Sequence, residues 1–290
     1  VHTFDFSPLT APVDKSAVSA LRREAQADKV KPSAADEVIT LWVGVVGFVV
    51  AAGLLVLVDF GSVPVSLVAK ILWTALMGSL GTVLFAGVVY SVYRLLVRWT
   101  QFYRAKQFAA ANGMTYAVSE SKPTWDSRLF QVDGLNARAS NVFTATSEPV
   151  FEVGNYHYEN WSNKKLVGID WGYLVVDLGR PYAPIVLRSM TRQSLRRWSP
   201  DAYARNPVLP VATSVDRKFQ LYCPVGAEDD ARRLFTPQLI TALARIGRTV
   251  NAEVAGQFLF VYSGRRFPFP RPRAVKAVFA VISLVTDFAA

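Results

Sequence analysis

Two stretches of the chain contain no charged residue. Residues 38–58 run for 21 positions between Glu37 and Asp59, and residues 71–93 for 23 positions between Lys70 and Arg94. As helices rising 1.5 Å per residue they reach about 31 and 34 Å, enough for a hydrocarbon core of about 30 Å. The pattern predicts two membrane spans joined by a short connection, with Gly61 and Pro64 as turn formers. A pair of buried core helices is the plainer alternative, and uncharged runs of this length argue against it. Gly78, Thr82 and Ala86 recur every four residues on one face of the second span, and Gly47 and Ala51 offer a partner face on the first. Small residues at that spacing let helices approach closely, either to close the hairpin or to pair two copies of the chain.

Beyond residue 93 the period changes. The second helix is expected to continue through residues 99–113, with Asn112 and Gly113 as its stop. Strand patterns follow at residues 114–119, 135–146 and 149–159. In the last of these Phe151, Val153, Asn155 and His157 share one face, and Glu152, Tyr156 and Tyr158 the other. Residues 172–178 read as a central strand, 184–189 as another, and 189–213 as a partly helical excursion. Residues 214–224 alternate again. Residues 228–235 form a short helix whose acids lie near the positive end of its dipole. Thr236 and Pro237 mark a helix start, Leu239, Ile240, Leu243 and Ile246 its buried stripe, and Gly247 its end. A hairpin turns near Ala255 and Gly256, and residues 273–288 close the chain as a helix whose uncharged run, ten residues, is too short to span. The fold class expected is a membrane-anchored α+β protein: a cytoplasmic N-terminal tail at 1–37, a two-helix transmembrane hairpin at 38–97, and a mainly antiparallel α+β cytoplasmic domain at 98–290.

Composition narrows the class. Of 290 residues 51% are hydrophobic and 19% charged, too apolar for an ordinary soluble enzyme or a disordered regulator. One cysteine excludes a disulfide framework or zinc finger, and two histidines exclude a site built from several imidazoles. Basic residues set the orientation. Arg22, Arg23, Lys29 and Lys31 precede the first span, Arg94, Arg98, Arg104 and Lys106 follow the second, and the connection holds only Asp59 and Lys70. Both termini are therefore expected on the cytoplasmic side of the cell (plasma) membrane. Trp42, Trp73, Tyr90, Tyr93 and Trp99 fit interfacial belts, and no basic stretch of signal-peptide type precedes the first span.

The segments FEVGNYHYENWS, WGYLVVDLGRPYAPIVL, DRKFQLYCPVGAEDDARRLFTPQLITALA and EVAGQFLFVYS resemble a family of actinobacterial integral membrane proteins. That family pairs two membrane helices with a C-terminal domain of unknown function, and the resemblance covers most of residues 105–268. It implies the same architecture and brings no catalytic residues with it.

Chemistry is sparse. No Gly-rich phosphate loop, GxSxG elbow, HExxH, CxxC or EF-hand loop occurs. Cys223 and His157 are the one conceivable thiol–imidazole pair, and a buried strand cysteine is the commoner use. Asn160, Trp161 and Ser162 match a glycosylation pattern that a cytoplasmic bacterial site does not use. No cofactor or metal is implied. The net charge of +10 lies wholly within residues 98–290, which hold 25 basic and 15 acidic residues. Two basic stretches are candidate lipid or partner contacts: Arg188, Arg192, Arg196, Arg197 and Trp198, and Arg265, Arg266, Phe267, Phe269, Arg271 and Arg273. A basic domain beneath an anionic leaflet is attracted to it; a solvated surface is the bland alternative, and nucleic acid is a disfavoured partner. The function expected is a membrane-anchored binding or scaffolding domain. The alternatives are an enzyme acting on a membrane-associated or acidic substrate and an accessory subunit of an oligomeric channel or transporter.

Overall fold

The structure, a computed structural model, describes residues 3–27, 45–47, 67–127, 129–132, 134–162, 164–191, 208–210, 218–247 and 249–289. The chain divides into two compact units, one of Val1–Val13 with Gln101–Ala290 and one of Asp14–Thr100.

The second unit contains helix α1 (Lys15–Ala27) and the greater part of α2 (Leu67–Ala111). Among the described residues one helix, over Gly81–Ala111, is long and apolar enough to cross a membrane by length and composition. Leu76, Val83, Phe85, Val89 and Val92 of α2 are exposed, which distinguishes this part of the helix from a buried core helix. The hydroxyls of Ser79, Thr82 and Ser91 donate to the carbonyls of Leu76, Gly78 and Gly87, so they satisfy themselves within the helix. The expected second span falls in α2. The expected first span, with Trp42 and Ala51, lies outside the described residues except for 45–47, which are helical. An α+β domain with a mainly antiparallel sheet is observed; the transmembrane hairpin is not.

α2 stops where the sequence places its stop. Gly113 adopts φ +67°, a left-handed conformation that costs a Cβ-bearing residue more. The Met114 amide donates to Ala109 O and the Gly113 amide to Ala110 O, the paired bonds of a Schellman cap.

Among the described residues the first unit is built on nine strands: β1 (Thr115–Glu120), β2 (Leu135–Ala145), β3 (Phe151–Ser162), β4 (Lys165–Asp177), β5 (Val186–Ser189), β6 (Val208–Leu209), β7 (Phe219–Tyr222), β8 (Val250–Ala255) and β9 (Phe258–Ser263). Their order across the sheet is β1-β2-β3-β4-β9-β8-β5-β7-β6, and every ladder is antiparallel. Alternation gives the sheet two buried faces. On one, Phe151, Val153, Leu174, Val176, Leu259, Val261 and Val254 join side chains of the helices α3 (Glu228–Leu234), α4 (Pro237–Ile246) and α5 (Pro272–Ala289) in a single core. On the other, Tyr156, Trp171, Tyr173, Phe260 and Tyr262 meet Leu129 and Phe130 from the β1–β2 connection. The Phe130 ring lies 5.2 Å from both Tyr156 and Tyr173.

Residues 3–13 belong to this unit. Phe4 and Leu9 are buried in the first core and Phe6 packs against it. The Phe279 ring of α5 has those of Phe4, Phe108 and Phe143 at 4.9, 5.0 and 5.6 Å. The Asn112 side chain fastens the segment: its Oδ1 accepts the Asp5 amide at 2.7 Å and its Nδ2 donates to Asp5 O at 3.0 Å. Residues 3–13 of the expected tail thus belong to the domain, with Phe4 and Leu9 in its core.

Two other elements differ from expectation. β3 runs on to Ser162 and β4 begins at Lys165, seven residues before the apolar run that announces it. Of the strand expected over 214–224, residues 214–217 lie outside the described residues and the strand observed is Phe219–Tyr222; of the 189–213 excursion only 189–191 and 208–210 are described.

Candidate functional site

The most connected polar group sits where β3, β4 and the segment after β9 meet. Cross-strand pairing puts Asn155 opposite Gly172 and His157 opposite Asp170. Asn155, 2% exposed, accepts the Phe267 amide at 2.6 Å and donates to Phe267 O at 3.0 Å, so its amide stands in for a strand's backbone. The Phe267 ring then lies on Gly172, where a Cβ would come within 2.8 Å of it. Glycine is required there by close approach.

One step along the ladder, His157 Nδ1 is 2.7 Å from Asp170 Oδ1, and Arg266 donates to the same oxygen through Nη2 at 2.7 Å and Nε at 2.8 Å. An ionised carboxylate only accepts, which fixes the imidazole proton on Nδ1 in this bond. Burial raises the Asp170 carboxyl, but the His157 hydrogen bond and the Arg266 charge outweigh it and hold Asp170 below the ordinary carboxylate range. Next along, Glu159 accepts from Asn136 Nδ2 at 2.5 Å. Asp170 and Arg266, with His157, make a charge-neutralised clamp at the base of the β3–β4 hairpin.

On the opposite face Tyr173 donates to Glu152 at 2.7 Å, and Glu120 is shifted upward by burial and by the Glu152 charge. A cavity of about 450 Å³ lies in the β1–β2 connection, beside Lys122, Trp125, Asp126, Phe130 and Gln131. Its polar groups already serve the loop: Gln131 donates to Asp126 at 2.7 Å and Lys122 to Val132 O at 3.4 Å. Among the described residues no group of three or more His, Cys, Asp or Glu is placed to hold a metal ion.

The sequence-derived candidates separate. Arg265, Arg271 and Arg273 are exposed, Arg266 is committed to Asp170, and Arg188 is half-buried on β5. Phe267 and Phe269 are not surface aromatics. Phe267 is 3% exposed, and the Phe269 ring packs 5.4 Å from it and 5.6 Å from Phe143. The apolar core outcompetes the lipid contact expected of them. Arg192, Arg196, Arg197 and Trp198 lie outside the described residues. No described atom comes within 4 Å of a Cβ built at Gly47 or Gly78; Thr82 and Ala86 are exposed on α2, and Ala51 lies outside the described residues. Cys223 and His157 do not meet. β7 and β3 are five strand steps apart, about 24 Å along the sheet. Cys223 is fully buried, and burial, then the Glu228 charge, pushes its thiol up.

Sequence pattern does not mark the exposed tip of the β3–β4 hairpin as a contact surface. β4 pairs with β9 only over Gly172–Asp177, so Lys165–Trp171 project beyond it by about 23 Å. Trp161 and Leu166 face each other across the tip and are 65% and 43% exposed. The signal was the run NWSNKKLV, which carries an aromatic residue and two lysines but no strand alternation.

No protein-family model matches the sequence, and no characterised protein matches it as a relative. Among solved structures the chain is similar to the crystal structure of the mycobacterial trehalose monomycolate transport factor A, TtfA. The two share 13% identity over 63% of this chain and 91% of that one, with a TM-score of 0.38. Identity and superposition at that level are too low to carry a role across.

Proposed function

We propose that the chain is an integral protein of the plasma membrane whose spans at 38–58 and 71–93 form a hairpin, and whose α+β unit is a cytoplasmic binding or scaffolding domain that contacts anionic lipid. One observation carries this reading: residues 3–13 fold into the same core as residues 101–290. A chain whose two flanks form one unit crosses any bilayer between them an even number of times. The exposed apolar face of α2 supplies one crossing, and the uncharged run at 38–58 is the available second. The flanking arginines and lysines put both ends inside. The exposed Arg265, Arg271 and Arg273 are the cations that meet headgroup phosphates.

Reporter fusions test the topology. Fusions after residue 37 and after residue 290 are expected to read cytoplasmic, and one within 61–66 to read external. Opposite sides for the first two would overturn the hairpin.

A further inference from the structure

The described part of the Val1–Val13 and Gln101–Ala290 unit has five exposed large hydrophobic residues, and four of them are Leu135, Trp161, Leu166 and Val167. The fifth, Val225, lies elsewhere, between β7 and α3. The four are gathered by register. Leu135 pairs with Glu159, Trp161 with Leu166 and Asn160 with Val167, all at the free end of one hairpin. Leu135, Trp161 and Leu166 share the sheet face that carries His157 and Asp170, beyond the clamp. Scattered exposed hydrophobics are ordinary, whereas a gathered patch on a projecting element marks a contact surface.

At the turn itself, residues 160–167, the charge is of one sign. Residues 160–167 contain Lys164 and Lys165, both exposed, and no acidic residue. Of the acids near the patch, Asp133 lies outside the described residues, Glu159 accepts from the Asn136 side-chain amide, and Asp170 is held by His157 and Arg266. Those bonds also stiffen the base of the projection. A tryptophan rimmed by lysines on a rigid arm has the chemistry of the bilayer interface, where the indole sits at headgroup level and the ammonium groups meet phosphates.

We infer that the β3–β4 tip is the surface through which the domain enters the headgroup layer of an anionic membrane: Trp161, Leu166 and Leu135 reach the acyl boundary, and Lys164 and Lys165 bind lipid phosphates. This rests on the membrane reading above and names a contact distinct from the arginine face.

The test uses the full chain in nanodiscs of phosphatidylcholine alone or with phosphatidylglycerol. Single labels are placed by Ser162→Cys at the tip, Arg271→Cys on the arginine face and Val225→Cys as a remote control, each carrying an environment-sensitive fluorophore. Spin-labelled lipids are expected to quench the label at 162 in phosphatidylglycerol discs, to quench it much less in phosphatidylcholine alone, and to leave 225 unquenched. Lys164→Gln with Lys165→Gln should lower the docked-to-free ratio about 25-fold, at roughly five-fold per lysine near an anionic surface. Trp161→Ala should lower it as well. Quenching at 271 without quenching at 162, in a chain that resists alkaline extraction from membranes, overturns the tip and leaves the membrane reading intact. Release of the chain by alkaline extraction overturns both. Equal quenching at 162 in the two lipid compositions removes the role of the lysines and with it the proposal. Protection from aqueous iodide without lipid quenching assigns the patch to a protein partner and overturns it too.

Discussion

At the scale of the residue, two asparagines do the same work. Asn112 and Asn155 each present a carboxamide to a backbone amide and carbonyl of a distant segment, Asp5 and Phe267 respectively. They bridge 107 and 112 positions of sequence; the Asp5 bonds are exposed, where water can replace them, and the Phe267 bonds are buried. Asn155 is buried, so Asn155→Ala orphans the Phe267 N–H, at about 1–3 kcal/mol, while the Phe267 carbonyl keeps the Phe269 amide at 2.7 Å. The expected outcome is a lower denaturation midpoint with an unchanged denaturant dependence. Asn155→Asp puts a carboxylate against the Phe267 carbonyl in a buried site and should cost at least as much. A wild-type midpoint for Asn155→Ala would show that the loop after β9 is held by the Phe267 ring alone.

The β3–β4 hairpin is the decisive element. Its inner half is buried on both faces, and its outer half is held by the His157–Asp170–Arg266 group and then runs free. Asp170 links that clamp to pH. Its folded-state carboxyl is depressed, so its contribution to stability is present above the unfolded-state value and is lost as pH falls through the folded-state value. Acid below about pH 4 should therefore loosen the hairpin base, and Asp170→Asn should remove that part of the acid sensitivity while lowering stability at pH 7. Hydrogen exchange of the 157–170 amides, compared at pH 7 and pH 3.5 after correction for intrinsic rates, measures it. Identical acid loss of protection in Asp170→Asn would assign the sensitivity to other carboxylates. The carboxyl is substantially exposed, so solvent screens the effect and keeps it modest.

For the whole molecule, the consequential fact is that residues 3–13 and 101–290 share one core. Removing residues 1–13 withdraws Phe4 and Leu9 from burial and uncovers part of the Phe279 ring. At about 1.5–3 kcal/mol for each buried Phe or Leu side chain, such a deletion should cost the domain several kcal/mol. Limited proteolysis is expected to cleave within 101–290 faster in the truncated chain than in the intact one. Equal protection would mean that the N-terminal segment lies on the domain without stabilising it, and would weaken the case for an even number of crossings.

What the sequence determined by itself was local and periodic. The two faces of β3 follow from alternation, and the α4 start follows from Thr236 and Pro237, with Thr236 Oγ1 accepting the Leu239 amide at 3.2 Å. The α2 stop follows from Asn112 and Gly113. Each depends on side-chain period or backbone conformation within a few residues, which a chain read in order displays. Tertiary structure decided whatever depends on partners far along the chain. Phe267 and Phe269 sit among arginines in sequence and look like surface aromatics, yet Gly172, Asn155 and Phe143 draw them inward. Cys223 and His157 both lie in expected strand regions, and only the strand order separates them. Trp161 and Leu166 look like the frayed end of one strand and the start of an ill-patterned one. Their exposure follows from β9 and β2 ending short of the tip, since a strand's outer residues are buried only where a neighbour and a covering layer reach them.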